Sequence, residues 1–141
     1  MMRKATVLIE KALKGAGLKC QAIDLNEFSF VEAGFSGDNC TFKLRFISPD
    51  DDNDVKAMTE DFAKFPQNKL ASGYELINSL NRKYKYAKFT IDSNGAVSAQ
   101  FDFPVRTSSE TLGDEAIEIA IRFSKIIDDV YPDIMRVIYG S

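Results

Sequence analysis

A chain of 141 residues has room for one domain, and 45% apolar with 28% charged residues is the balance of a folded globular protein, not of a disordered tail. The formal net charge of −3 and a pI of about 5.0 disfavour nucleic-acid binding, which draws its affinity from a surplus of Lys and Arg. Histidine is absent, which excludes His-dependent triads, the usual neutral-pH proton shuttle and the commonest zinc ligand.

Along the chain, Ala5, Leu8, Ile9, Ala12, Leu13 and Ala16 recur at helical spacing and predict a first helix over Arg3 to Ala16, with Gly17 as its left-handed terminator. The opening Met1-Met2-Arg3-Lys4 is basic like a signal peptide. Glu10, Lys11 and Lys14 interrupt the apolar residues after it, so no signal core is expected. No run approaches the roughly 20 apolar residues of a membrane span, and a cytoplasmic location is the expectation. Ala22 to Ala33 reads as a strand rich in Phe28, Phe30 and Val31, followed by a turn over Gly34 to Asn39. In the next strand Cys40, Phe42, Leu44 and Phe46 alternate with Thr41, Lys43 and Arg45, which predicts one buried face and an antiparallel hairpin. Cys20 and Cys40 form no CxxC pair. They read as reduced core side chains, with a mutual disulfide as the alternative.

Pro49-Asp50-Asp51-Asp52-Asn53-Asp54 resembles a calcium loop only superficially. Val55 stands where that loop needs Gly and Asp61 where it needs Glu, so a solvated turn is the better reading. Val55 to Phe65 fits either strand or helix, and Pro66 ends it. Leu70, Tyr74, Ile77 and Leu80 predict a second helix over Asn68 to Asn81. Two strands, Tyr86 to Ile91 and Ala96 to Val105, flank the hairpin turn Asp92-Ser93-Asn94-Gly95, whose Asn-Gly end supplies the left-handed positions. Pro104 marks an edge or the end of pairing. Ser108-Ser109 reads as loop and capping chemistry, since no His activates a nucleophile there. The third helix is expected over Leu112 to Tyr131, with Thr111 as N-cap, Asp114 and Glu115 at its positive end, a Glu118–Arg122 pair, and Pro132 as the stop. Asp133 to Ser141 is apolar enough to dock against the rest.

The stretch from Phe62 to Val105 carries a family pattern: Phe62-Ala63-Lys64-Phe65-Pro66, Lys69, Ile77-Asn78-Ser79-Leu80-Asn81, Lys88-Phe89-Thr90-Ile91-Asp92-Ser93-Asn94-Gly95 and Val97. It resembles the YbjN-like family of proposed bacterial sensory transduction regulators, whose fold is similar to that of type III secretion chaperones. The resemblance implies a single α+β domain over residues 1–141 in the order α-β-β-β-α-β-β-α, an antiparallel sheet packed by helices, with Val55 to Ala63 as the third strand. It also implies protein binding or regulation, often with homodimerisation, and no catalytic residues, cofactor or metal.

Several residues invite a functional reading. Asn78 and Asn81 share a helix face and serve either a ligand or the helix end and nearby backbone. Arg82 to Lys88 interleaves cations with Tyr84 and Tyr86, a pattern suited to stacking bases, to a strand's polar face, or to a protein contact. Ile117 and Ile121 widen the apolar face of the third helix and pack under the C-terminal segment or contact a second subunit. Tyr84, Tyr86, Ile117 and Ile121 are therefore the candidate protein interface. The expected function is a non-catalytic, chaperone-like or regulatory domain that binds an unknown protein partner, with a homodimer as its candidate assembly. A small-molecule sensor or enzyme with a polar pocket is the alternative. Nucleic-acid binding through Tyr84 to Lys88 is the weaker one.

Overall fold

The computed structural model describes residues 2–104 and 110–140. The expectations for Val105 and for Ser108-Ser109 lie outside the described residues. Helix α1 spans Lys4–Gly15, α2 Leu70–Lys83 and α3 Leu112–Tyr139. The strands are β1 Cys20–Asp24, β2 Ser29–Ser36, β3 Thr41–Ser48, β4 Asp54–Thr59, β5 Ala63–Lys64, β6 Lys88–Ile91 and β7 Ala96–Pro104. All pair antiparallel in one sheet. The order runs β1-β2-β3-β4-β7, with β4 and β5 along one side of β7 and β6 along the other.

Register sets the two faces of the sheet. Val31 pairs with Phe46, Phe46 with Ala57, and Ala57 with Phe101, so the inward residues form continuous rows across four strands. The helices cover this face, with Ile9 and Leu13 of α1 and Ala116, Ala120, Phe123 and Ile127 of α3 fully buried. The opposite face carries Glu32, Lys43, Arg45, Lys56, Gln100 and Lys88, the polar side typical of an antiparallel sheet packed on one face only.

The segment read as one strand over Ala22 to Ala33 is two. β1 turns back through residues 25–28, where the Leu25 N–H donates to the Phe28 carbonyl (2.8 Å), and β2 then runs on through the glycine expected to turn. The true turn to β3 lies at residues 37–40, closed by the Gly37 N–H on the Cys40 carbonyl. Val55 to Thr59 is strand, as the resemblance implied. The pairing with β7 is interrupted after Met58. There the Thr59 hydroxyl accepts the buried Ala99 N–H (2.9 Å) and the Phe62 N–H reaches the Val97 carbonyl before β5 resumes. Pro104 sits at the last β4–β7 pair, the end of the pairing. In the β6–β7 turn only Gly95 takes a positive φ (85°), so the turn needs one left-handed residue where the sequence offered two.

Pro132 does not stop α3, which continues to Tyr139. A proline in a helix interior removes the N–H that the carbonyl four residues earlier would receive, here that of Asp128. The side-chain amide of Asn39 donates to this carbonyl instead (3.1 Å). Asp128 answers with its carboxylate, accepting the backbone N–H groups of Asn39 (2.7 Å) and Cys40 (3.1 Å). A Cβ on Gly37 would lie 2.3 Å from the Asp128 Oδ1, so this close approach requires glycine. The tip of the β2–β3 hairpin thus splices the helix past its proline. The residues expected to dock as a separate tail are the last turns of α3, with Ile134 buried.

The acidic loop before β4 is more than a solvated turn. Asp52, at φ 55°, turns its carboxylate to the first N–H groups of α1, those of Lys4 (3.2 Å) and Ala5 (3.4 Å), and accepts the Ser48 hydroxyl (3.0 Å). It caps α1 from across the fold, while Asp50 forms an ion pair with Arg3.

Candidate functional site

Alternation along β7 turns Phe101 and Phe103 toward the helix side, and their rings stack at 6.1 Å. Above them the first turns of α3 carry Asp114, Glu115, Glu118, Ile119 and Arg122, which helical geometry gathers on one flank. Tyr86, between α2 and β6, closes the third side with its ring edge-on to Phe101 at 5.7 Å. These residues, with Thr111, line a surface cleft of about 390 Å3 with an aromatic floor and a charged rim.

The polar groups of the rim are largely engaged. The Arg122 guanidinium lies 4.3 Å from the centre of the Tyr86 ring, and its Nε and Nη2 each stand 2.9 Å from Glu118 Oε1. The Thr111 hydroxyl donates to Glu115 (3.1 Å). Asp114 makes no hydrogen bond or ion pair among the described residues. No group of three or more His, Cys, Asp or Glu side chains among the described residues is placed to hold a metal ion. No described helix is long and apolar enough to cross a membrane.

The candidate interface residues do not converge. Tyr86, 38% exposed, lines the cleft. Tyr84 follows the end of α2, half-buried, with the Lys83 ammonium 5.2 Å from its ring. Ile117 and Ile121 project from α3 roughly 100–140° around the axis from Arg122, away from the cleft. Ile117 packs against the core and Ile121 is 47% exposed. Because α3 is continuous, no C-terminal segment folds back over either, which removes that role.

Other charged and amide side chains near the second hairpin serve the fold. Lys88 donates to the Asn81 and Tyr84 carbonyls (2.8 and 2.7 Å) at the C-terminal end of α2, where a cation is favoured. Asn81 bonds the backbone of Phe89 twice, donating to its carbonyl (3.0 Å) and accepting its N–H (2.6 Å), so the amide acts as a one-residue neighbouring strand. Asn78 stays exposed and does not join it. The sequence reading missed Phe101 and Phe103 as floor residues, because their alternation marks them as core. The Glu118–Arg122 spacing was the visible sign of the rim.

Fold and cleft together define an α+β domain with one antiparallel sheet and all three helices on a single side. The chain belongs to the YbjN family: the model described as "Putative bacterial sensory transduction regulator" matches residues 6–134. This places it among bacterial regulators. A crystal structure of YbjN from E. coli, described as "a putative transcription regulator", superposes with a TM-score of 0.57 at 11% identity, covering 88% of this chain and 89% of that one. At that identity the likeness speaks for the fold. No curated protein matches.

Proposed function

We propose that this chain is a non-catalytic, single-domain regulator that works by binding a segment of another protein, in a chaperone-like manner, and that the segment docks in the cleft between Tyr86, β7 and α3. The carrying observation is the cleft itself, a part-exposed Phe101 ring stacked on the buried Phe103 and set beside an exposed tyrosine, the composition typical of protein interfaces. Two of its three acids are engaged in structural bonds, Glu118 with Arg122 and Glu115 with Thr111, and Asp114 has no base bonded to it among the described residues. Of the cations in the Tyr84–Lys88 stretch, Lys88 is turned to the fold, which argues against a nucleic-acid track there.

The test is a pull-down from a bacterial lysate with the wild type and with Phe101→Arg, each first shown to be folded by its thermal melt. A protein retained by the wild type and lost by the variant supports the reading. Equal recovery by both, or nothing above background with either, overturns it. A homodimer is part of the same proposal, and light scattering that returns only the 15.8 kDa monomer at micromolar concentration defeats it. A small-molecule sensor is the second reading, favoured by a volume within the range of ligand pockets. A metabolite that raises the melting temperature of the wild type but not of Phe101→Arg would put it first.

A further inference from the structure

The cleft has a charge as well as a shape, and that charge narrows what fits. Among the described residues its lining holds three carboxylates, Asp114, Glu115 and Glu118, against the guanidinium of Arg122. The positive end of α3 offsets this excess by only about half a unit charge. The molecule also displays a bound guanidinium of its own, since Arg122 is held between the Tyr86 ring and the Glu118 carboxylate. Beyond Arg122, Asp114 stands without a partner among the described residues, next to the part-exposed Phe101 ring, with Phe103 and Ile119 buried beneath it.

We infer, resting on the docking reading above, that the cleft selects a protein segment presenting a basic side chain, Arg or Lys, beside apolar residues. The aliphatic stem and its apolar neighbours cover Phe101. The cation meets Asp114 and Glu115 in the arrangement that Arg122 already makes with Tyr86 and Glu118. An acidic segment is rejected, because its carboxylates would be brought beside three others.

The probes are three blocked pentapeptides, acetyl-Ala-Leu-X-Leu-Ala-amide, with X as arginine, citrulline or glutamate, together with inorganic phosphate. Each is titrated to millimolar concentration against the 15N-labelled full chain. The arginine peptide is expected to shift the amides of Phe101, Phe103 and Ile119 saturably. Citrulline, of the same shape but neutral, should bind about tenfold more weakly, the ratio that a cation–π contact and a charged hydrogen bond supply. Asp114→Asn with Glu115→Gln, both exposed positions, should bring the arginine peptide down to the citrulline level. Equal binding of all three peptides at the cleft overturns the basic-segment inference and leaves docking intact. Phosphate shifting the same amides more strongly than the arginine peptide also overturns it, making Arg122 an anion site. Shifts by none of the probes count against the cleft as a docking place, and so against both proposals.

Discussion

Two aspartates tie sheet to helix in this fold, and they do so in opposite directions. Asp52 reaches from the loop between β3 and β4 to the free N–H groups of α1, while Asp128 reaches from within α3 to the N–H groups at the tip of the β2–β3 hairpin. The first accepts two long bonds, 3.2 and 3.4 Å. The second accepts shorter bonds, 2.7 and 3.1 Å, and belongs to a two-way exchange, because Asn39 returns a donor to the carbonyl that Pro132 leaves empty. Like chemistry therefore carries unlike weight, and the tie with the shorter bonds and the returned donor is the stronger.

The largest effect should come from Asp128→Ala. It removes two charge-assisted bonds to the hairpin tip and should cost about 2–3 kcal/mol in urea unfolding, with the slope unchanged. Asp52→Ala should cost less, about 1–2 kcal/mol, of which roughly half is the lost cap and the rest the strain of alanine at positive φ. Asp52→Gly separates the two parts: it keeps the backbone conformation and loses the carboxylate's bonds to α1 and to the Ser48 hydroxyl. Equal costs for Asp128→Ala and Asp52→Gly would remove the distinction between a one-way cap and a two-way exchange.

The exchange at Pro132 permits a sharper test. Asn39→Ala should cost about 1 kcal/mol in the wild type, since the Asp128 carbonyl then has neither a helical nor a side-chain donor. Pro132→Ala restores the helical N–H. In that background Asn39→Ala should cost about 0.5–1 kcal/mol less, a coupling that a double-mutant cycle measures directly. A cycle that closes with no coupling means that Asn39 holds the hairpin without completing the helix.

The legible parts of this fold were those whose signals are local. The alternation of Phe42, Leu44 and Phe46 with Lys43 and Arg45 announced β3, and the spacing of Ala116, Ile119, Ala120 and Phe123 announced α3. The turn after β1 stayed hidden because Leu25-Asn26-Glu27-Phe28 holds no Gly or Pro. Phe30 also points to the polar face, buried there beneath the Arg45 guanidinium 4.8 Å from its ring and beside Phe28, which blurred the alternation of β2. Pro132 misled because the donor that rescues its helix comes from Asn39, 89 residues from Asp128. Asp52 misled for the same reason, its partners in α1 lying 47 and 48 residues away. At the cleft, Tyr86 was singled out as an interface residue and Glu118–Arg122 as a pair. That the two meet over Phe101 is tertiary, and no periodicity carries it.

The smallest predicted effect reaches the Asp128 tie through the neighbouring thiol. Burial pushes the Cys40 thiol above its ordinary value of 9.0, and the Asp128 carboxylate beside it adds to the rise. Cys20 is also raised, by burial first, with Lys14 opposing and Glu10 assisting. A raised thiol means that the folded protein holds its proton longer than the unfolded chain. The resulting stabilisation is complete below 9.0 and is lost as the pH climbs through the higher folded value. Unfolding curves between about pH 8 and pH 10 should therefore fall more steeply for the wild type than for Cys40→Ala, a subtraction that cancels the lysines and tyrosines titrating in the same range. Asp128→Asn should narrow that difference and quicken alkylation of Cys40, because the thiolate is the reacting form and one of the two causes opposing it is gone. Alkylation at an unchanged rate in a folded Asp128→Asn protein would show that burial alone governs the thiol, and that the carboxylate's influence ends at the two amides it binds.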